Sequence, residues 1–186
     1  MIGYAICASF CTHKKSLETL KSFADQGYDI LPIMSENTYT LDTRFGKAED
    51  LIKEVEDLCK KPIIHTCVDA EPIGPKIKLD ALIISPCTGN TMAKIANGIT
   101  DSAVTMAAKA HIRNERPLII ALATNDAMSG NFINLASLMN RKHVYFVPMA
   151  QDDPEKKPSS LICRFDLVGE TLQNALHSKQ IRPLFV

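Results

Sequence analysis

Three places in this sequence put small polar residues directly after a run of apolar ones: Ser9, the Thr88-Gly89-Asn90 triplet and Asn125. A hydroxyl beside the first turn of a helix, together with the unpaired N–H groups of that turn, makes an anion site of the kind that holds phosphates and carboxylates. An asparagine can both donate to a carboxylate and accept from an amide, although Asn125-Asp126 is also an ordinary turn dipeptide. Arg44, beside Phe45 and Gly46, adds a cation able to clamp a carboxylate through two parallel hydrogen bonds, and a surface arginine next to a structural phenylalanine would look the same. Cys11 and His13 fall at the start of the first helical segment, where a thiolate is favoured. No acid or base partner is evident nearby, so packing or plain ligand contact is the simpler reading of both.

These groups need rigid supports, and the apolar pattern supplies them. Residues 2–8, 28–34, 81–84, 117–123 and 144–149 read as buried strands, the third stopped by Ser85-Pro86. Helical spacing recurs over residues 17–27, ending at Gly27, and over 51–59, ending at Lys60-Lys61-Pro62. It returns at 91–97, at 102–113 with Thr100 or Asp101 as the cap, and at 132–139. A final helix is expected from Leu161 onward, behind a caplike serine. Residues 63–68 suggest a short strand, and 69–78, rich in proline and glycine, an irregular crossing. Strands alternating with helices predict an α/β fold: a three-layer α/β/α, Rossmann-like open parallel sheet in one domain over 1–186. Ligands of such sheets bind beyond the strand C-termini, which makes Ser35 a further contact. Residues 151–160 form a long polar loop with two prolines, whose lysine pair could face an anion.

Several classes are excluded. Lysine plus arginine equals aspartate plus glutamate at 21 each, so nothing draws the chain to nucleic acid or an anionic membrane. No apolar run reaches membrane-spanning length, and the N-terminus lacks the features of a secretory signal, so a cytoplasmic location is expected. The six cysteines show no CxxC spacing and read as buried hydrophobes rather than metal ligands. The first strand–helix turn has no G-x-G-x-x-G, which argues against a dinucleotide held by this chain alone.

The stretch Ser-Pro-Cys-Thr-Gly-Asn-Thr-Met-Ala-Lys-Ile-Ala-Asn-Gly-Ile-Thr-Asp, residues 85–101, resembles the P-A-(S/T)-A-N-T-(I/M)-x-K-(I/L)-A-x-G-I-(A/C)-D signature of the homo-oligomeric flavin-containing cysteine decarboxylases, a flavoprotein superfamily. Gly89 stands where that superfamily has alanine or serine, and Ala8-Ser9 where it has Gly-Ser. Asn125 and Met128 match part of its P-x-M-N-x-x-M-W substrate clamp, whose tryptophan is absent here. The resemblance implies flavin mononucleotide (FMN) contacts at Ser9, Phe10, Ser35, Ser85, Pro86, Thr88 and Asn90. It implies substrate contacts at Arg44, Asn125 and Met128.

Residues 9–12, 43–46, 70–76, 88–90, 124–127 and 151–159 are jointly similar to the family of dipicolinate synthase B subunits from spore-forming bacteria. That likeness implies a part in NAD(P)-linked oxidation of dihydrodipicolinate to dipicolinate. It also implies a partner A subunit carrying the nicotinamide cofactor, and a homo-oligomer of three or more chains. A planar dicarboxylate needs donors for each carboxylate and a slot for its ring. Arg44, Asn125 and the N–H groups of residues 88–90 can supply the donors, and Pro86 and Phe45 can line the slot. No catalytic base is identified. The alternatives are a phosphopantothenoylcysteine-type FMN-dependent decarboxylase and a non-catalytic scaffold subunit.

Overall fold

A computed structural model describes residues 1–186. The strands are β1 (Ile2–Ile6), β2 (Ile30–Met34), β3 (Ala81–Cys87), β4 (Leu118–Thr124), β5 (Val144–Phe146), β6 (Met149–Ala150) and β7 (Leu161–Cys163). The helices are α1 (His13–Asp25), α2 (Glu36–Thr40), α3 (Ala48–Cys59), α4 (Cys67–Ala70), α5 (Gly89–Ala96), α6 (Ala103–Arg113), α7 (Phe132–Met139) and α8 (Val168–Leu176). They build one seven-stranded sheet in the order β2-β1-β3-β4-β7-β6, with β5 also on β4. β2, β1, β3, β4 and β5 are parallel, whereas β7 runs antiparallel to both β4 and β6.

Alternation along the strands divides the core in two. Ile2, Tyr4 and Ile6 of β1 point to one face and pack with Leu20, Val55 and Leu172 of α1, α3 and α8. Ala5, Leu82 and Ile84 point to the other, against Met92, Val104 and Leu135 of α5, α6 and α7. The expected three layers follow from this period of two. Every residue of β3 is buried, as a central parallel strand covered on both faces requires. Each fully buried isoleucine there contributes about 1.5–3 kcal/mol.

Five expectations are corrected. The strand at 81–84 passes through Pro86 to Cys87, because the pairing with β4 shifts register between Ile84 and Cys87, and a residue without an N–H is tolerated at such an irregularity. Residues 63–68 contribute one bridge, Ile64 to Ile33, before the Thr66 hydroxyl caps α4 by accepting from the Asp69 N–H at 3.1 Å. The expected strand at 144–149 is split at Val147-Pro148 into β5 and β6. Leu161 opens β7 instead of a helix, and α8 begins only at Val168, so the sheet is mostly rather than wholly parallel. The cap of α6 is Ser102, one residue beyond Asp101, in a reciprocal capping box with Thr105.

The sheet's free edges are covered. Ile64 pairs with β2, and the side-chain amide of Gln180 both accepts from the Phe146 N–H at 2.9 Å and donates to the Phe146 carbonyl at 2.7 Å along β5. Met149 of β6 exchanges backbone hydrogen bonds with Leu184 and Val186.

Candidate functional site

Parallel pairing puts the C-terminal ends of β2, β1, β3 and β4 on one edge of the sheet, so Ser35, Ser9, Thr88 and Asn125 all emerge there. At about 4.8 Å between neighbours, β2 and β4 stand roughly 14 Å apart along that edge. The predicted contacts accordingly fall into two groups.

The first lies around β1 and β2. The Ser9 hydroxyl makes no hydrogen bond within the chain, while the Ser9 carbonyl accepts from the Thr12 N–H at 2.9 Å and the Thr12 hydroxyl at 2.8 Å. That pins a single 3₁₀ turn, Phe10–Thr12, in front of α1 and leaves the Ser9 hydroxyl free for a ligand. Ala8 lies outside the left-handed region, so this backbone does not need the superfamily's glycine there. Ser35 caps α2, accepting from the Thr38 N–H at 3.4 Å and pairing with the Thr38 hydroxyl at 2.8 Å. Between α1 and the 41–47 loop opens a cleft of about 640 Å³ lined by Phe10, His13, Thr38, Thr43, Phe45 and Lys47. This volume falls within the roughly 300–1,000 Å³ typical of small-molecule sites. Arg44 stands over the Phe45 ring, 4.8 Å from its centroid, and is exposed. His13 Nε2 donates to the Cys7 carbonyl at 2.9 Å, and burial holds the imidazole pKa below its ordinary value.

The second group lies around β3 and β4. Ser85 and Pro86 are both buried near the C-terminal end of β3. The Ser85 carbonyl accepts from Ser16 Oγ at 2.5 Å, and Ser16 also meets the Tyr4 hydroxyl, so Ser85 anchors β3 to α1. The Pro86 carbonyl accepts from the Cys7 N–H at 3.1 Å within the sheet. Thr88 caps α5 by accepting from the Thr91 N–H at 3.2 Å, while Asn90 is exposed.

The start of α5 is not an open cradle. A Cβ added to Gly89 would lie 2.6 Å from Thr124 Oγ1, 2.7 Å from Asn131 Nδ2 and 2.8 Å from Asp126 Oδ1. The Thr124 hydroxyl and the Asn131 amide both donate to the Asp126 carboxylate, at 2.6 Å and 2.7 Å. This chain's own anion therefore sits at the helix start that was expected to receive a ligand's, which favours the same end of the dipole. Asn125 and Met128 are exposed on the same turn, joined to the 151–160 loop by Ser160 Oγ to Asn125 Oδ1 at 3.5 Å and by the Met128 N–H to the Ser159 carbonyl at 2.9 Å.

Sequence reasoning missed Asp126 and the buried Ser160. The Asn131 and Asn134 amides that extend the Asp126 network were a signal for it, since polar side chains recurring behind a strand end need partners. Among the cysteines, burial pushes the thiols of Cys7 and Cys59 up to about 11 and that of Cys87 well upward, which leaves them unreactive; Cys11 is exposed. No helix is long and apolar enough to cross a membrane.

A family described as Flavoprotein matches residues 2–173. The chain is 42% identical over 185 residues to the B subunit of dipicolinate synthase from Bacillus subtilis (strain 168), covering 100% of this chain and 92% of that one. The crystal structure of the dipicolinate synthase B subunit from Bacillus halodurans C superposes with a TM-score of 0.91 at 38% identity, over 100% of this chain and 95% of the other. The FMN-dependent cysteine decarboxylase SpaF shares the fold, with a TM-score of 0.69 at 18% identity over 95% and 94% of the two chains.

Proposed function

The chain belongs to the flavoprotein family, and from that membership we propose that it works as the B subunit of a dipicolinate synthase, oxidising dihydrodipicolinate together with a nicotinamide-binding A subunit. The observation that carries this reading is the likeness to such B subunits along the full chain, in sequence and in fold. The β1 turn fits an FMN phosphate: a free Ser9 hydroxyl, an unstrained Ala8 and a helix start beside a cleft of suitable size. Ser9 and Phe10 would hold that group, with Thr88 and Asn90 beyond it, and the bound flavin supplies a two-electron acceptor for hydride.

Substrate recognition is assigned to Arg44 on the β2 side and to Asn125 and Met128 on the β4 side. In this reading Arg44 takes one carboxylate of a flat dianion and Asn125 the other. The exposed Phe132 and Ile133 of α7 support a homo-oligomer of three or more chains, because apolar side chains at 54% and 75% exposure gain from being covered.

Co-purification with the A subunit, followed by oxidation assays with each chain alone and both together, tests the proposal. Product formation only by the pair, and its loss by at least about tenfold in Ser9→Ala or Asn125→Ala, is the expected result. Full activity of the A subunit alone would reduce this chain to a scaffold. Carbon dioxide release from phosphopantothenoylcysteine would mark it instead as a decarboxylase.

A further inference from the structure

Arg44 lies in the 41–47 loop between α2 and α3, so the carboxylate on the β4 side of the edge has only the neutral Asn125 and Met128 among its assigned partners. The strand pairing points to a cation for it. β6 and β7 form a hairpin laid on β4 with Thr124 opposite Leu161, so the intervening loop, 151–160, projects past the C-terminal end of β4 beside the turn that carries Asn125 and Met128. The loop is internally braced: Gln151 Nε2 donates to the Pro158 carbonyl at 2.9 Å, the Lys157 N–H to the Asp153 carbonyl at 2.8 Å, and the Ser160 N–H to the Lys157 carbonyl at 3.0 Å. It is docked on the β4 turn through Ser159 and the buried Ser160. The Lys157 ammonium is half exposed and lies 2.8 Å from Asp152 Oδ2.

We propose that Lys157 is a specificity-determining residue that takes the second carboxylate of a planar dicarboxylate at this edge, held ready by Asp152. This rests on the dicarboxylate reading of the site. An ammonium on a flexible stem can turn from Asp152 to a ligand without moving the loop, which a rigid guanidinium fork does less easily. Lys156 is its natural control: its backbone N–H is held by Asp153, and its side chain forms no ion pair.

The test is calorimetric titration of the purified complex of both subunits with dipicolinate and with the monocarboxylate picolinate, for the native chain, Lys157→Met, Lys157→Arg and Lys156→Met. Lys157→Met is expected to weaken dipicolinate binding about 10- to 100-fold and picolinate binding much less, which collapses the preference for two carboxylates. Lys157→Arg should keep most of that preference, and Lys156→Met should leave both affinities unchanged. An unaltered preference in a Lys157→Met protein with native circular dichroism would overturn the assignment of Lys157 while leaving the dicarboxylate site standing. Equal affinity of the native complex for the two ligands would instead sink the dicarboxylate reading and this inference with it.

Discussion

At the scale of single residues, Gly89 shows how a departure visible in a sequence acquires its reason only in space. A Gly-to-Ala change in the first turn of a helix ordinarily gains up to about 1 kcal/mol. Here the added carbon would press on three polar atoms at 2.6–2.8 Å, and crowding of that kind costs about 1–3 kcal/mol. Gly89→Ala is therefore expected to destabilise in denaturant melts, and Asp126→Ala in the same chain to recover part of the loss. His111 makes the second case. It is buried, Nε2 donates to the Pro117 carbonyl at 2.9 Å, and burial pushes its pKa down to about 4. Between an unfolded value of about 6.5 and that folded value, the unfolded chain binds a proton that the folded chain refuses, so stability present above pH 6.5 is lost as the pH falls. About 2 kcal/mol of the loss between pH 7 and pH 5 should disappear in His111→Gln, measured as melting temperature against pH. Neither cost was legible in the sequence, because both the carboxylate facing Gly89 and the carbonyl facing His111 arrive from a neighbouring strand or its turn.

At the scale of elements, the long periodic segments could be read directly and the short ones could not. α3 and α6 declare themselves through apolar spacing, since each has several turns in which to repeat. β6 and β7, at two and three residues, are too short to show a period, and Leu161-Ile162-Cys163 suits a helix as well as a strand until β4 is beside it. That hairpin supports the 151–160 loop, so the loop and its lysine pair could be picked out in the sequence while the strands that fix its position could not. The capping box of α6 is a local device with a local test. Ser102 Oγ accepts from the Thr105 N–H at 3.2 Å, and Thr105 Oγ1 accepts from the Ser102 N–H at 3.1 Å. Ser102→Ala should cost about 1 kcal/mol, or roughly 2–4 °C of melting temperature in a chain of this size.

At the scale of the whole molecule, the layered α/β architecture follows from alternating strand and helix patterns, whereas the strand order does not, because no local signal tells β1 that its neighbours will be β2 and β3. The covered edges of the sheet bear on how copies of the chain can meet. An open edge is a template for another chain's backbone, the route by which sheets grow into fibrils. Here Ile64, the Gln180 amide and residues 184–186 already occupy those positions, so growth by strand addition is blocked and self-association is left to helical surfaces, where its stoichiometry can be closed. Removing residues 184–186, or replacing Gln180 by alanine, should leave the assembled state of the native protein unchanged while raising light scattering and thioflavin binding on prolonged mild heating. Solubility in this protein would then depend on a few backbone contacts at its margins more than on its balanced surface charge.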